Sequence, residues 1–324
     1  IPAKAVNLDA LGAEKDLDKY NGSVKGATYV TFGVWPQTIK DSKVEIDETY
    51  INTEITGTHY YLGNDNNWYA KIKENGYSAD AQYIYSNKVP VAQKKEAKEK
   101  YFLVEPIVWR KVGKMLISEK CLLADVPYYG TTTARTLKGN TVTANNYQYS
   151  NIRAFLNGIN NQFVTDGGEV DKNTIDWTDK GFLQCAFTKA QQSKIAETKV
   201  DNSAESTFET GTDGKKKTTY DCPDTLDKIF LLSEKEVTSA DLGFEAFNVS
   251  GSANTRIRKA TDYAKATYIN CSNVSANGSW WWLRSPYYNA QNSAQDVNSN
   301  GSANDDRDFV LSKHGGVVPA LNLN

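Results

Sequence analysis

Three consecutive tryptophans, Trp280, Trp281 and Trp282, constrain this chain more than any other feature. In an extended strand, neighbouring side chains point to opposite faces. Trp280 and Trp282 therefore share one face and Trp281 takes the other. Each ring calls for roughly 150–250 Å² of cover. A strand carrying them must be packed on both sides, with most of this aromatic mass in the core. The block runs on through Leu283, Arg284, Ser285 and Pro286, and a second apolar block, residues 315–324, closes the sequence. Between the two, residues 287–308 are almost all Tyr, Asn, Ser, Asp, Gly, Ala and Gln. Two rigid blocks thus bracket a stretch made of the residue types that recognition surfaces favour.

Other segments show clear periodicity. Residues 28–35 alternate and are β-branched, predicting a strand, and strands are also predicted at 101–112, 114–124 and 227–232. Ser150 is positioned to cap a helix carrying one apolar stripe, Ile152, Phe155, Leu156, Ile159 and Phe163. A short helix is predicted at 189–198, an exposed loop at 199–224, and a further short helix behind the capping box of Ser233 and Glu236. Residues 94–100 form a charge run, expected to be a solvated helix face. Toward the C-terminus, strands are predicted at 280–284, 294–298, 309–312 and 317–323. Mixed strands with two or three helices argue an α+β domain.

The motifs carry a resemblance. WWLRSP, then an Asn-rich stretch, then GVVPALNLN resembles the C-terminus of a bacterial family related to the formylglycine-generating-enzyme branch of the C-type lectin fold. Further matches stand in order upstream: FGVWPQ at 32–37, YFLVEPIVWR at 101–110, LISE at 116–119 and ADVPY at 124–128. SNIRAFLN at 150–157, DKIFLLS at 227–233 and TDYA at 261–264 continue the series. The resemblance implies a C-type-lectin-like α+β domain over residues 26–324, behind an N-terminal extension at 1–25. Insertions would fall at about 40–100 and 199–224, and a variable-type ligand-binding segment at 287–314. It also implies that Arg284 bonds backbone or a buried carboxylate.

Some members of this fold are the variable proteins of diversity-generating retroelements, which rewrite adenines in a C-terminal binding segment. Adenine mutagenesis of AAC codons never yields Gln, Lys, Glu, Met or Trp. From Tyr287 to Val310 only Gln291 and Gln295 lie outside the reachable set. An ordinary Asn-rich loop passes the same test.

Chemistry that the sequence leaves unsupported is equally informative. Formylglycine-generating enzymes use a cysteine pair near the C-terminus to bind copper. Here the last cysteine, Cys271, precedes the tryptophan block, so the expectation is no enzyme and no cofactor. Cys121, Cys185, Cys222 and Cys271 form no CxxC, and His59 and His314 are far apart, which argues against zinc. Two disulfides or free buried thiols both remain open. Calcium-dependent sugar binding in C-type lectins would want Glu-Pro-Asn or Gln-Pro-Asp together with Trp-Asn-Asp, whereas Glu105, Pro106 and Ile107 lack the amide and no Trp-Asn-Asp occurs. Asp305, Asp306 and Asp308 could gather around a cation, but a solvated acidic turn is the simpler reading, and no metal is expected. A net charge of −2 points to no nucleic-acid partner, and no apolar run reaches the length of a transmembrane segment. A single Met with 19 Tyr and abundant Asn and Thr leans toward an exported, cell-surface protein. The start at Ile1 fits either a removed leader or a trimmed sequence.

The functional expectation is therefore a binding surface for a protein or glycan, made by Tyr287, Tyr288, Asn289, Asn292, Asp296, Asn298, Asn304, Asp305, Asp306, Asp308 and Phe309. Alternation within 294–298 predicts Val297 inward, with Asp296 and Asn298 outward beside Tyr287 and Tyr288. The alternatives are a formylglycine-generating-type enzyme, degenerate or active, and a structural cell-envelope protein.

Overall fold

The computed structural model describes residues 4–76, 83–211, 214–246, 254–269, 278–303 and 306–324. Its main sheet is antiparallel and built from β1 (Lys15–Asp16), β2 (Thr28–Ile39), β3 (Ile46–Asn52), β4 (Tyr60–Gly63), β5 (Trp68–Lys73), β6 (Glu99–Val112), β7 (Met115–Ser118) and β8 (Ile229–Phe230). A three-stranded antiparallel sheet follows, β9 (Trp281–Pro286), β10 (Ser293–Val297) and β11 (Arg307–Phe309). The last strand, β12 (Ala320–Asn322), returns to the main sheet between β8 and β7. The architecture is mixed and mostly sheet.

Strand β6 is the spine. β2 pairs along its length, from Thr28 opposite Lys111 to Ile39 opposite Phe102. The partners β5 and β7 take its two ends, Tyr69 opposite Leu103 and Trp109 opposite Ser118. Buried Phe102, Val104, Ile107 and Trp109 explain why this segment is central. The Trp109 indole N–H, which could not be buried unpaired without cost, donates to the Phe32 carbonyl at 2.7 Å.

Two large cores flank the strands, and a smaller one gathers Ile39, Tyr85, Val91, Phe102 and Ala266. In β7, adjacent Leu116 and Ile117 belong to different cores, as a period of two requires. β9 repeats the pattern: Trp282 belongs to the same core as Phe32, Trp109, Phe155 and Phe182, whereas Trp281 and Leu283 belong to the core of Phe230, Leu232 and Val297. The rings of Trp280 and Trp282 meet at 5.0 Å on their shared face.

The helices are short: α1 (Leu8–Leu11), α2 (Asn151–Asn157), α3 (Phe182–Ala186), α4 (Lys189–Gln192), α5 (Glu234–Val237) and α6 (Asp262–Ala266). None among the described residues is long and apolar enough to cross a membrane. Ser150 caps α2 through Arg153 N–H, and Ser233 with Glu236 forms the capping box of α5, both as expected. α2 nevertheless stops at Asn157, so Ile159 and Phe163 lie beyond it. Gly158 follows in the left-handed region at φ 62°, where a Cβ would stand 1.8 Å from Gln184 Oε1.

Three other expectations change. Residues 94–100 hold only the 3-10 turn Lys94–Glu96 and the start of β6. Pairing of Ile72 with Lys100 and Lys73 with Glu99 draws that charged run into the sheet, and ladder formation overrides local helix preference. The helix at 189–198 ends at Gln192, because Thr198–Val200 pairs with Thr225–Asp227. Within 199–224, Phe208–Gly211 and Gly214–Lys217 form a hairpin rather than an open loop. The segment 40–100 contributes β3, β4 and β5, which extend the main sheet from one end of β6.

Candidate functional site

The C-terminal segment is held from below by β9. Its neighbour β10 sets Val297 opposite Trp281 and Asp296 opposite Trp282, and β11 sets Phe309 opposite Ser293. Gly315 and Gly316 let the final block close over the tryptophans. A Cβ on Gly315 would stand 2.3 Å from Trp282 Nε1, and one on Gly316 would stand 2.7 Å from Cys121 Sγ. Gly316 exchanges backbone bonds with this strand, accepting from Trp282 N–H and donating to Trp280 O. Arg284, buried behind the strand, donates to the carbonyls of Leu231 and Asp201 and to the Glu236 carboxylate, as expected.

Two expected contact residues are covered. Tyr287 is only 6 % exposed: the Arg307 guanidinium lies 4.0 Å over its ring, and Tyr288 packs against it at 5.0 Å. Asp296 is also 6 % exposed and does not face outward, because β10 is the middle strand and is covered on both faces. Val297 points inward as expected, but Gln295 is buried too, so alternation does not separate this strand into two faces. Burial pushes the Asp296 carboxyl well above the usual carboxylate range, and the nearby charges of Asp306 and Asp308 push it further.

Several of the remaining polar groups staple turns. Asn298 N–H donates to Ser302 O, and Gly301 N–H donates back to Asn298 O with Gly301 at φ 82°. The Asn298 amide accepts from Ser299 N–H and donates to Asp306, while Asp308 accepts from Phe309 N–H. Asn289 and Asn298 are exposed, and Tyr288, Asn292, Asp306 and Asp308 are half-buried. Asn304 and Asp305 lie outside the described residues. Among those described, no three His, Cys, Asp or Glu side chains converge as metal ligands.

Phe309 was among the expected contact residues, but sequence reasoning overlooked its exposed apolar neighbour Leu311. Val310 is buried, its N–H donating to Asn292 O and its carbonyl accepting from Tyr129 N–H at 2.9 Å. That clamp turns Phe309 and Leu311 outward, 54 % and 46 % exposed. The alternation Phe309-Val310-Leu311 was the signal that could have added Leu311 to the surface. Asn145 fixes the other end of the segment, with N–H to Gln291 O and its side-chain amide to the carbonyls of Ala290 and Ser293.

Tyr129 also floors a groove of about 740 Å³ that the sequence did not reveal. Its hydroxyl donates to Asp171 at 2.8 Å, and the Asp171 carboxylate also takes Arg135 at 2.7 Å. The Arg135 guanidinium lies between the rings of Tyr129 and Phe163, at 3.9 and 5.3 Å. Thr131, Thr133, Thr136 and Thr165 line the walls above this buried pair. At two of the described cysteines the reactive thiolate is disfavoured: burial raises the free Cys185 thiol to about 12 and the free Cys222 thiol to about 11. Cys121 is buried, and Cys271 lies outside the described residues.

A family described as a domain of unknown function (DUF6273) matches residues 112–324, about two thirds of the sequence. The chain belongs to that family. The match starts at the last residue of β6, so it takes in the tryptophan strand, the polar segment and the groove but not β1–β5. No curated protein and no solved structure matches the chain.

Proposed function

We propose that this DUF6273 protein is a non-catalytic ligand-recognition protein of the C-type-lectin-like fold, related to formylglycine-generating enzymes. Its contact surface is the outward side of residues 288–303 and 306–311. The observation that carries the reading is the pair Phe309 and Leu311, held in solvent on either side of buried Val310. Apolar side chains displayed in this way add little to folding and are available to a partner. Tyr288, Asn289 and Asn292 supply aromatic and amide contacts along the same segment, the composition expected of an adaptable recognition surface. The ligand is a protein or a glycan met outside the cell, in keeping with the Tyr-, Asn- and Thr-rich composition. Retroelement diversification extends this reading. AAC-rich codons across the segment, with a near-copy and a reverse transcriptase gene nearby, would support it; their absence would remove that extension alone.

Protein and glycan arrays probed with the wild type and with Phe309→Ser/Leu311→Ser test the binding surface. The expected result is loss of every wild-type signal in the variant, an unchanged melting temperature and no effect of EDTA on the wild type. Full retention of signal by the variant would overturn the proposal. Conversion of a cysteine-containing sulfatase peptide to formylglycine would overturn the non-catalytic reading.

A further inference from the structure

A second cavity, of about 490 Å³, has no wall from the C-terminal segment. Tyr20, Ser23, Glu119, Lys120, Ile257 and Lys259 line it. Lys120 and Lys259 are both exposed and are Cα partners in the short parallel pairing of Lys120–Cys121 with Lys259–Ala260. Like charges placed opposite each other across a ladder repel. No ion pair among the described residues takes up either charge.

More positive charge lies directly behind the wall. Arg258, between lining residues Ile257 and Lys259, is fully buried. Its Nε donates to Ser118 O at 3.1 Å and its Nη1 to the Thr255 and Ile257 carbonyls at 3.0 Å and to Ser23 Oγ at 3.3 Å, while Nη2 has no partner. Arg110 is also fully buried; its Nη1 donates to Gly243 O at 2.9 Å, and its Nε and Nη2 have none. The two guanidiniums lie 4.3 and 5.8 Å from the Phe244 ring. Burial, and then the Arg258 charge, lowers the Arg110 guanidinium to about 10. Both arginines feel one carboxylate, Glu119, and that group already accepts from the Ser23 N–H and hydroxyl. Segments 247–253 and 270–277, which flank this region in sequence, contain no Asp or Glu. Among the described residues, four cations therefore gather around one lining carboxylate, and three buried guanidinium nitrogens lack acceptors. A buried cation left short of partners is costly, and an anion in the adjoining cavity would offset that cost.

We propose that this cavity binds an oxyanion, a phosphate or sulfate group, with Lys120 and Lys259 at its mouth and the fields of Arg258 and Arg110 behind it. The proposal is independent of the binding surface on the C-terminal segment. Calorimetric titration at low ionic strength with inorganic sulfate, inorganic phosphate, sulfated dextran oligosaccharide and unsulfated dextran tests it. The wild type should bind the charged probes and not unsulfated dextran. Lys120→Gln/Lys259→Gln changes only exposed side chains, keeps the fold, and should weaken binding at least tenfold. The charge-matched pair Lys138→Gln/Lys172→Gln should leave it unchanged. Tighter binding of sulfated dextran than of inorganic sulfate would assign a group borne on a larger molecule, and equal affinity would assign the free anion. Absence of binding to every charged probe, or equal weakening in both double variants, would overturn the proposal.

Discussion

β9 and β11 belong to one three-stranded sheet, separated only by β10, yet their side chains have opposite fates. Every residue of β9 is buried, with Trp282 facing one core and Trp281 and Leu283 the other. β11 is an edge strand in which Arg307 and Phe309 are exposed and Asp308 is half-buried. Charged residues on a short edge discourage unwanted strand pairing, so part of its polarity has a protective role. Phe309 does not fit that role, since an exposed aromatic on an edge invites association. The difference between the two strands separates the residues that hold the frame from those that can change without unfolding it.

The largest effects should fall on the frame. Trp282→Ala and Trp281→Ala each leave a large void in one of the two larger cores and should cost about 3–5 kcal/mol, measured by denaturant unfolding. A loss below about 1 kcal/mol in either would break the contrast with β11. Gly315→Ala forces a methyl group against the Trp280 and Trp282 rings and should cost about 1–3 kcal/mol in the same measurement.

Asp296 sharpens the comparison, because it is a titratable group placed where the frame meets the surface. Burial first, then Asp306 and Asp308, raise its carboxyl in the folded state. The folded chain therefore binds a proton that the unfolded chain releases near the ordinary carboxylate value of about 4. Stability from this group is full below that pH and is lost as the pH rises toward the folded value. Asp296→Asn should be more stable than the wild type at neutral pH, with the gain vanishing at about pH 3. Thermal melts across that range check it; a variant less stable at neutral pH would show that the charged form is the one the fold favours.

Much of the frame was legible in the sequence because its signals are local. The tryptophan triplet dictated two-sided packing, Ser150 and Ser233 marked helix starts, and the alternation of 28–35 marked the strand that becomes β2. What escaped depends on contacts between distant segments. Lys94–Glu96 carries helix-favouring charge, but β5 recruits the residues that follow into β6. Asp296 looks like a surface residue until β11 pairs beside it. Tyr287 reads as an anchor until Arg307, 20 positions on, covers its ring. The groove above Arg135 and Asp171 joins residues 36 apart and left no mark in either segment. Leu311 was within reach of simple alternation from Phe309.

The central claim is that Phe309 and Leu311 are displayed rather than packed. The most direct measurement compares the unfolding free energy of Phe309→Ser/Leu311→Ser with that of the wild type. Exposed side chains that support nothing should change it by no more than about 0.5 kcal/mol each, or raise it slightly. A loss of about 3 kcal/mol or more, the scale of a core aromatic, would show that the edge is part of the frame and contradict the account.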